Sequence, residues 1–267
     1  MPEQRVVLTT HVNADGDGVG SEIGLWHLLK ARGVTATIAN PTGIPERFDF
    51  LIPDGADASD RAVREIERAD VIVVLDIGDL SRLGDLGHAV RQRAAPTVCI
   101  DHHVSPGSLP AGPRLIAPEA TATAELVFDL ASALGWPLNP ESAKALYVGI
   151  LTDTGGFRFS NTSARALRVA AALLERGVDP EGIYESVYAS APEGRVRLTA
   201  EVLQTLVVGG TDSRHYDGLT GNVFRTGALG LGPTDLERIH GTNERVAISD
   251  YARNIAFYIQ LIRNSAL

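Results

Sequence analysis

Cysteine is nearly absent from this chain. One residue, Cys99, among 267 excludes an internal disulfide framework and fits a reducing compartment. It lies in an apolar run and reads as a small buried filler. No apolar run approaches the roughly 20 residues that cross a bilayer. The opening MPEQRVVLTT has no basic region and no signal core but enters a strand pattern at once, so a cytoplasmic protein with no membrane partner is expected. Basic residues are outnumbered, 24 Lys and Arg against 33 Asp and Glu, for a net charge of −9. That balance opposes avid binding to long duplex nucleic acid, which depends on phosphate neutralisation. It leaves room for a small phosphorylated substrate held through metals. Internal repeats and low-complexity segments are also missing.

What is present is a globular composition, 44% hydrophobic and 21% charged, long enough for one large domain or two ordinary ones. Strand patterns at residues 5–10, 35–39, 71–76 and 97–101 alternate with helical ones at 20–32, 60–68 and 83–93. Short Val, Ile and Leu runs separated by helices predict an α/β fold, a mostly parallel sheet with helices on both faces. A helical region follows, at 123–134, 141–151, 163–176, 180–189 and 193–206, with Gly177 and Pro180 as a stop and a restart. After Leu206 the chain turns Gly- and Thr-rich before a last helix at 249–263, a short α+β piece.

Four acidic or histidine clusters stand out, three of them directly behind apolar strand patterns. VVLTT leads to His11, Asp15 and Asp17; VIVVL leads to Asp76; TVCI leads to Asp101, His102 and His103; LYVGILT leads to Asp153. Ligands of open α/β sheets bind outside the carboxyl ends of the strands. So many hard donors converging without matching cations point to more than one divalent metal ion. In HVNADGDGVGS, Asp15 and Asp17 can reach neighbouring ions and His11 can add an imidazole, while Gly16, Gly18 and Gly20 let a loop approach a ligand before a helix N-terminus. The bland alternative is a turn with an aspartate N-cap. Asp76 ends a strand that reads as buried, where a carboxylate needs a cation or several donors. Adjacent side chains in extended backbone point apart, so one of His102 and His103 is free to bind metal while the other faces substrate, with Asp101 orienting a histidine. Asp79 reads as a turn residue, Asn161 and Thr162 as caps of the next helix, and Arg158 as a planar donor for phosphate or carboxylate. His27 and His88 read as packing or surface residues, Tyr147 and Trp136 as core.

The strings HVNADGDGVGS, LDIGDLSRLG, IDHH and YVGILTDTGGFRFSNTS, in this order, resemble the DHH phosphoesterase family, and within it the bifunctional oligoribonuclease/PAP phosphatase branch, over residues 1–206. The resemblance implies two manganese ions and two-metal hydrolysis of short RNA or 3′-phosphoadenosine 5′-phosphate. One ion would take His11, Asp15 and Asp76, the other Asp17, Asp76, His102 and Asp153. His103 would face the scissile phosphate beside Asp101, with Arg158, Gly20 and Ser21 toward substrate. The same ligand set also resembles the manganese pyrophosphatase branch, although TDTGGFRFSNT is closer to the nucleotide branch. Residues 207–267 lack the Gly-rich substrate motif of that branch and instead resemble the end of a carboxypeptidase/aminoacylase-type dinuclear zinc peptidase. His240 in IHGTNER matches a metal histidine there, but a lone ligand makes no such site. The expected organisation is a catalytic domain at 1–190, a helical linker at 191–206 and a metallopeptidase-like remnant at 207–267. An apolar face left by the missing domain would favour a homodimer. Competing classes are a metallopeptidase and a non-catalytic metal-binding module.

Overall fold

The computed structural model describes residues 4–104, 107–189 and 255–256. Contacts divide the chain into Met1–Ser190 and Ala191–Leu267. Of the second unit only Ile255 and Ala256 are described, both helical, within the helix expected at 249–263. The helix expected at 193–206, the remainder of the tail and His240 lie outside the described residues.

In the first unit five parallel strands form one sheet in the order β2-β1-β3-β4-β5. They are β1 (Arg5–Thr9), β2 (Thr35–Ile38), β3 (Val71–Leu75), β4 (Thr97–Asp101) and β5 (Arg114–Ile116). Between and after them run α1 (Gly16–Lys30), α2 (Ala62–Arg68), α3 (Leu86–Gln92), α4 (Thr123–Ala133), α5 (Pro140–Asp153), α6 (Ala164–Leu174) and α7 (Pro180–Tyr184), the last continued by a wider turn at Glu185–Ala189. The alternation of a buried strand sorts its side chains onto two faces. Val6 and Leu8 share a core with α1, α4 and α5 through Ile23, Val127 and Leu146. Val7 and Cys99 share the opposite core with α2 and α3 through Ile66 and Val90. Burial pushes the Cys99 thiol up to about 12, the behaviour of an inert filler. Among the described residues no helix is long and apolar enough to cross a membrane.

The expected α/β fold is therefore present, with three local corrections. Strand β5 has three residues and no recognisable pattern, and a 3₁₀ segment at Glu46–Leu51 buries Phe48 completely where no element was expected. Helix α1 begins at Gly16, four residues before the expected start, so Gly16 and Gly18 are helical rather than parts of a tight turn before it. Gly16, Gly20 and Gly24 recur every four residues and face α5: a Cβ on Gly20 would collide with the Ala145 carbonyl and lie 2.8 Å from the Gly149 nitrogen. These glycines let two helix backbones touch. Gly20→Ala is expected to force α1 and α5 apart. Overpacking against backbone costs roughly 1–3 kcal/mol, or about 2–10 °C of melting temperature in a domain of this size. An unchanged calorimetric midpoint would refute the close contact.

Candidate metal centre

Strand β1 and the cap of α1 supply the first donors. His11 is buried, and its Nδ1 lies 2.8 Å from the Val12 carbonyl, an acceptor only. Nδ1 therefore carries a proton, and Nε2 is the ring atom turned toward the carboxylates. That Nε2 is buried without a hydrogen-bond partner, 3.7 Å from Asp15 Oδ2 and 3.8 Å from Asp76 Oδ2. Asp15 divides its oxygens between two tasks. Oδ1 caps α1 by accepting from the amides of Asp17 and Gly18, and Oδ2 faces His11. Burial pushes the Asp15 carboxyl up, but His11 and the cap amides outweigh it and hold it at about 2.

Asp17 lies on the first turn of α1 and is buried. Its Oδ2 accepts from the Thr123 amide at 2.6 Å and its Oδ1 from the Ala124 amide at 2.9 Å. Residue Ala122, at the N-cap of α4, has no side chain able to cap. The orphan amides of α4 are thus closed by a carboxylate 106 residues earlier in the chain. Asp76, just past β3, has φ +56°. This left-handed conformation disfavours most side chains but is tolerated by Asp and Asn. The turn aims Oδ2 at His11 and Oδ1 at His102 Nε2, 3.6 Å away, while the Thr123 hydroxyl donates to Oδ1 at 3.0 Å.

Beyond β4 the two histidines face different partners. His102 Nε2 lies 3.7 Å from Asp17 Oδ2 and 3.8 Å from Asp153 Oδ2. His103 Nδ1 lies 2.7 Å from Asp101 Oδ1, whose Oδ2 accepts from the Gly78 amide. Asp101 thus orients His103, and its hydrogen bond, opposed by burial, raises the imidazole above its usual pKa. A grouping of His103 with Asp76 and His102 is also close enough to share an ion, but the Nδ1 atom 3.5 Å from Asp76 is the one engaged by Asp101. The other ring nitrogen of His103, Nε2, is not part of the Asp101 contact.

Asp153, the last residue of α5, is held from a direction the sequence did not suggest. Asn161 Nδ2 donates to its carbonyl at 3.1 Å and reaches Oδ2 at 3.4 Å. The expected capping role of Asn161 and Thr162 is corrected, because Ser163 caps α6 by accepting from Ala166 N. Gly20 and Ser21, expected at the substrate, are instead buried: Gly20 is packed on α5, and the Ser21 hydroxyl donates to Asp17 at 3.3 Å. The early start of α1 moves both from an expected helix N-terminus to the second turn, where they pack inward. Arg158 is exposed in the loop after Asp153 and donates from Nε to the Gly155 carbonyl. Thr123 and the α4 amides, which hold two candidate ligands, escaped sequence reading because Thr123 looks like any helix-start residue.

The donor chemistry fits divalent metal. Two groups, His11–Asp15–Asp76 and Asp17–His102–Asp153, each place three ligand atoms within 4.8 Å of one another. Donors about 2.0–2.2 Å from a common ion sit roughly 3–4 Å apart, the spacing found here. Among the described residues the arginine ion pairs lie elsewhere, at Arg61 and Arg165. The buried Nε2 of His11, without a hydrogen-bond partner and facing two carboxylates, suits a cation site. Burial pushes Asp17 up to about 6, with His102 lowering it and Asp153 and Asp15 raising it. Burial first, then the charges of Asp17 and Asp15, raises Asp76 well above the usual range.

These shifts set the pH dependence of the metal-free protein. A carboxyl whose pKa is raised on folding stabilises the fold fully below its unfolded pKa, and this contribution is lost as pH rises through the folded value. Asp17 loses it from about 4 to about 6, and the fully buried Glu22, pushed up to about 8 by burial, continues the loss. His103, also raised, acts in the same direction, whereas the lowered Asp15 and Asp101 titrate below this window. The Asp17 part alone is on the order of 3 kcal/mol. The melting temperature of chelated protein is expected to fall between pH 5 and pH 8 and to recover on adding manganese. A flat or rising profile in chelator would contradict this electrostatic account.

The family model described as "DHH family, N-terminal domain" matches residues 5–150, and the chain belongs to the DHH family. It is 36% identical over 220 residues to the bifunctional oligoribonuclease and PAP phosphatase NrnA of Thermus thermophilus, covering 81% of this chain and 62% of that protein. Three relatives of that name are spanned over 62%, 56% and 54% of their own length. The crystal structure of an exopolyphosphatase-related protein from Bacteroides fragilis superposes with a TM-score of 0.72 at 30% identity, covering 77% of this chain and 62% of that one. A partial likeness, 42% identity over 64 residues, links 24% of this chain to 12% of a probable carboxypeptidase S-like 2 of Dictyostelium discoideum. It accords with the metallopeptidase resemblance of the tail.

Proposed function

We propose that the chain is a manganese-dependent phosphoesterase acting on short oligoribonucleotides or 3′-phosphoadenosine 5′-phosphate. The observation that carries this reading is Asp76, whose two oxygens face two separate donor groups and so suit a bridging carboxylate. His11, Asp15 and Asp76 would hold one ion, and Asp17, Asp76, His102 and Asp153 the other. Such ions neutralise charge on phosphoryl oxygens and lower the pKa of water. His103, kept upright by Asp101, holds its Nδ1 proton and offers Nε2 to the substrate as an acid–base group. Arg158, at the exposed rim, offers a planar donor to a phosphate. The substrate class follows the names of the curated relatives.

In this reading residues 1–190 are the catalytic domain, 191–206 a linker and 207–267 a metallopeptidase-like remnant without peptidase chemistry, since His240 has no partner ligands in the sequence. The test is one panel on the full chain with manganese: a five-nucleotide RNA, 3′-phosphoadenosine 5′-phosphate, pyrophosphate and an N-acyl dipeptide. Turnover of the first two supports the reading. Hydrolysis of pyrophosphate alone transfers the chain to a pyrophosphatase role, and release of an amino acid refutes the reading of the tail.

A further inference from the structure

Resting on the metal-centre reading above, we propose that Thr123 is a positioning residue for that centre: its hydroxyl and amide fix the carboxylates of Asp76 and Asp17 in the orientation that lets one face two donor groups. Thr123 is fully buried and opens α4. The hydroxyl donates to Asp76 Oδ1 at 3.0 Å, and the amide donates to Asp17 Oδ2 at 2.6 Å. One residue therefore grips two candidate ligands that come from β3 and α1.

The grip matters because of where Asp76 sits. Its backbone is left-handed, at φ +56°, anchored by its amide on the Ile100 carbonyl at 3.0 Å. Conformations of this kind persist only when the surroundings over-determine them. A carboxylate on a single rotatable stem can still turn about its terminal torsion, which is broad. With the hydroxyl on Oδ1, the plane is set: Oδ1 keeps a lone pair toward His102 Nε2 at 3.6 Å, and Oδ2 points at His11 Nε2 at 3.8 Å. A turned carboxylate would serve one group at the expense of the other.

Thr123 is itself tied in place. Glu125 Oε2 accepts from the Thr121 amide at 2.9 Å, and the Thr121 hydroxyl donates to the Asn161 carbonyl at 3.1 Å. Asn161 in turn holds Asp153. Arg165 pairs with both Glu125 and Asp129. The start of α4 and the segment before α6 thus form a brace behind Asp17, Asp76 and Asp153.

Partners that hydrogen-bond a ligating group typically contribute about 10–100-fold in metal affinity. The experiment titrates manganese into full-length protein and reads the free ion by electron paramagnetic resonance, for wild type, Thr123→Val, Thr123→Ser and Thr123→Ala. Thr123→Val is expected to weaken binding by about 10–100-fold with an unchanged circular dichroism spectrum, and Thr123→Ser, which restores the hydroxyl without the methyl, to bind within about 3-fold of wild type. If the valine variant does not fold, Ser against Ala makes the same comparison. Equal affinity in wild type and the hydroxyl-less variants overturns the proposal, and so does a serine variant as weak as alanine, since packing would then be the cause. A wild type that binds no manganese instead removes the metal-centre reading itself, and the proposal with it.

Discussion

Asp76→Asn is expected to empty the centre while leaving the fold intact. Asparagine tolerates the left-handed backbone at this position, and its amide oxygen can still accept from Thr123. What disappears is the charge and one of two anionic oxygens that face separate donor groups. Metal content should drop from two ions per chain to fewer than one. Loss of transition-state charge stabilisation worth several kcal/mol corresponds to roughly a 10³-fold fall in phosphoester turnover. Elemental analysis after gel filtration in manganese decides the matter: a variant that keeps both ions has no bridging carboxylate at 76. Melting in chelator, close to wild type, separates lost metal from lost structure.

His103→Ala is expected to behave in the opposite way, retaining both ions and losing turnover by about 10²–10⁴-fold, the usual contribution of a positioned proton-transfer group. The contrast with His102 comes from what each ring already touches. His102 Nε2 looks at three carboxylates, while His103 has its Nδ1 on Asp101 and its side chain 37% exposed. His102→Ala should therefore lose metal. Equal metal loss in the two variants would dissolve this division.

The distribution of what the sequence disclosed has a physical basis. The four strands with apolar runs are local signals, and so are the clusters, each written within about ten residues; the sheet brings three clusters to the carboxyl ends of its strands, where ligands of open α/β sheets bind, and α5 brings Asp153. Strand β5 carries no such signal: RLI is short and partly exposed, and it exists because β4 offers an edge. Gly16 and Gly20 were legible as unusual but not as helix contacts, since their partners on α5, Thr152, Ala145 and Gly149, are more than a hundred residues away. Thr123 and Asn161 belong to the same class. Their work is defined by hydrogen bonds to residues remote in sequence, and a threonine or asparagine at a helix boundary looks alike with or without such a task.

Asp17 as the cap of α4 also orders events in time. The two bonds join residues 106 and 107 positions apart, so they can close only after the chain through Ala124 has been made and brought back to α1. Loops of that length close late, because their entropy must be spent before the contact rewards it. A nascent chain that ends before residue 123 would carry His11, Asp15, Asp17, Asp76 and both histidines without the amides that orient Asp17. Small zinc domains use their ion to drive folding. Here the amides that orient Asp17 come from a distant part of the polypeptide, so a cradle for an ion would be complete only once α4 is in place.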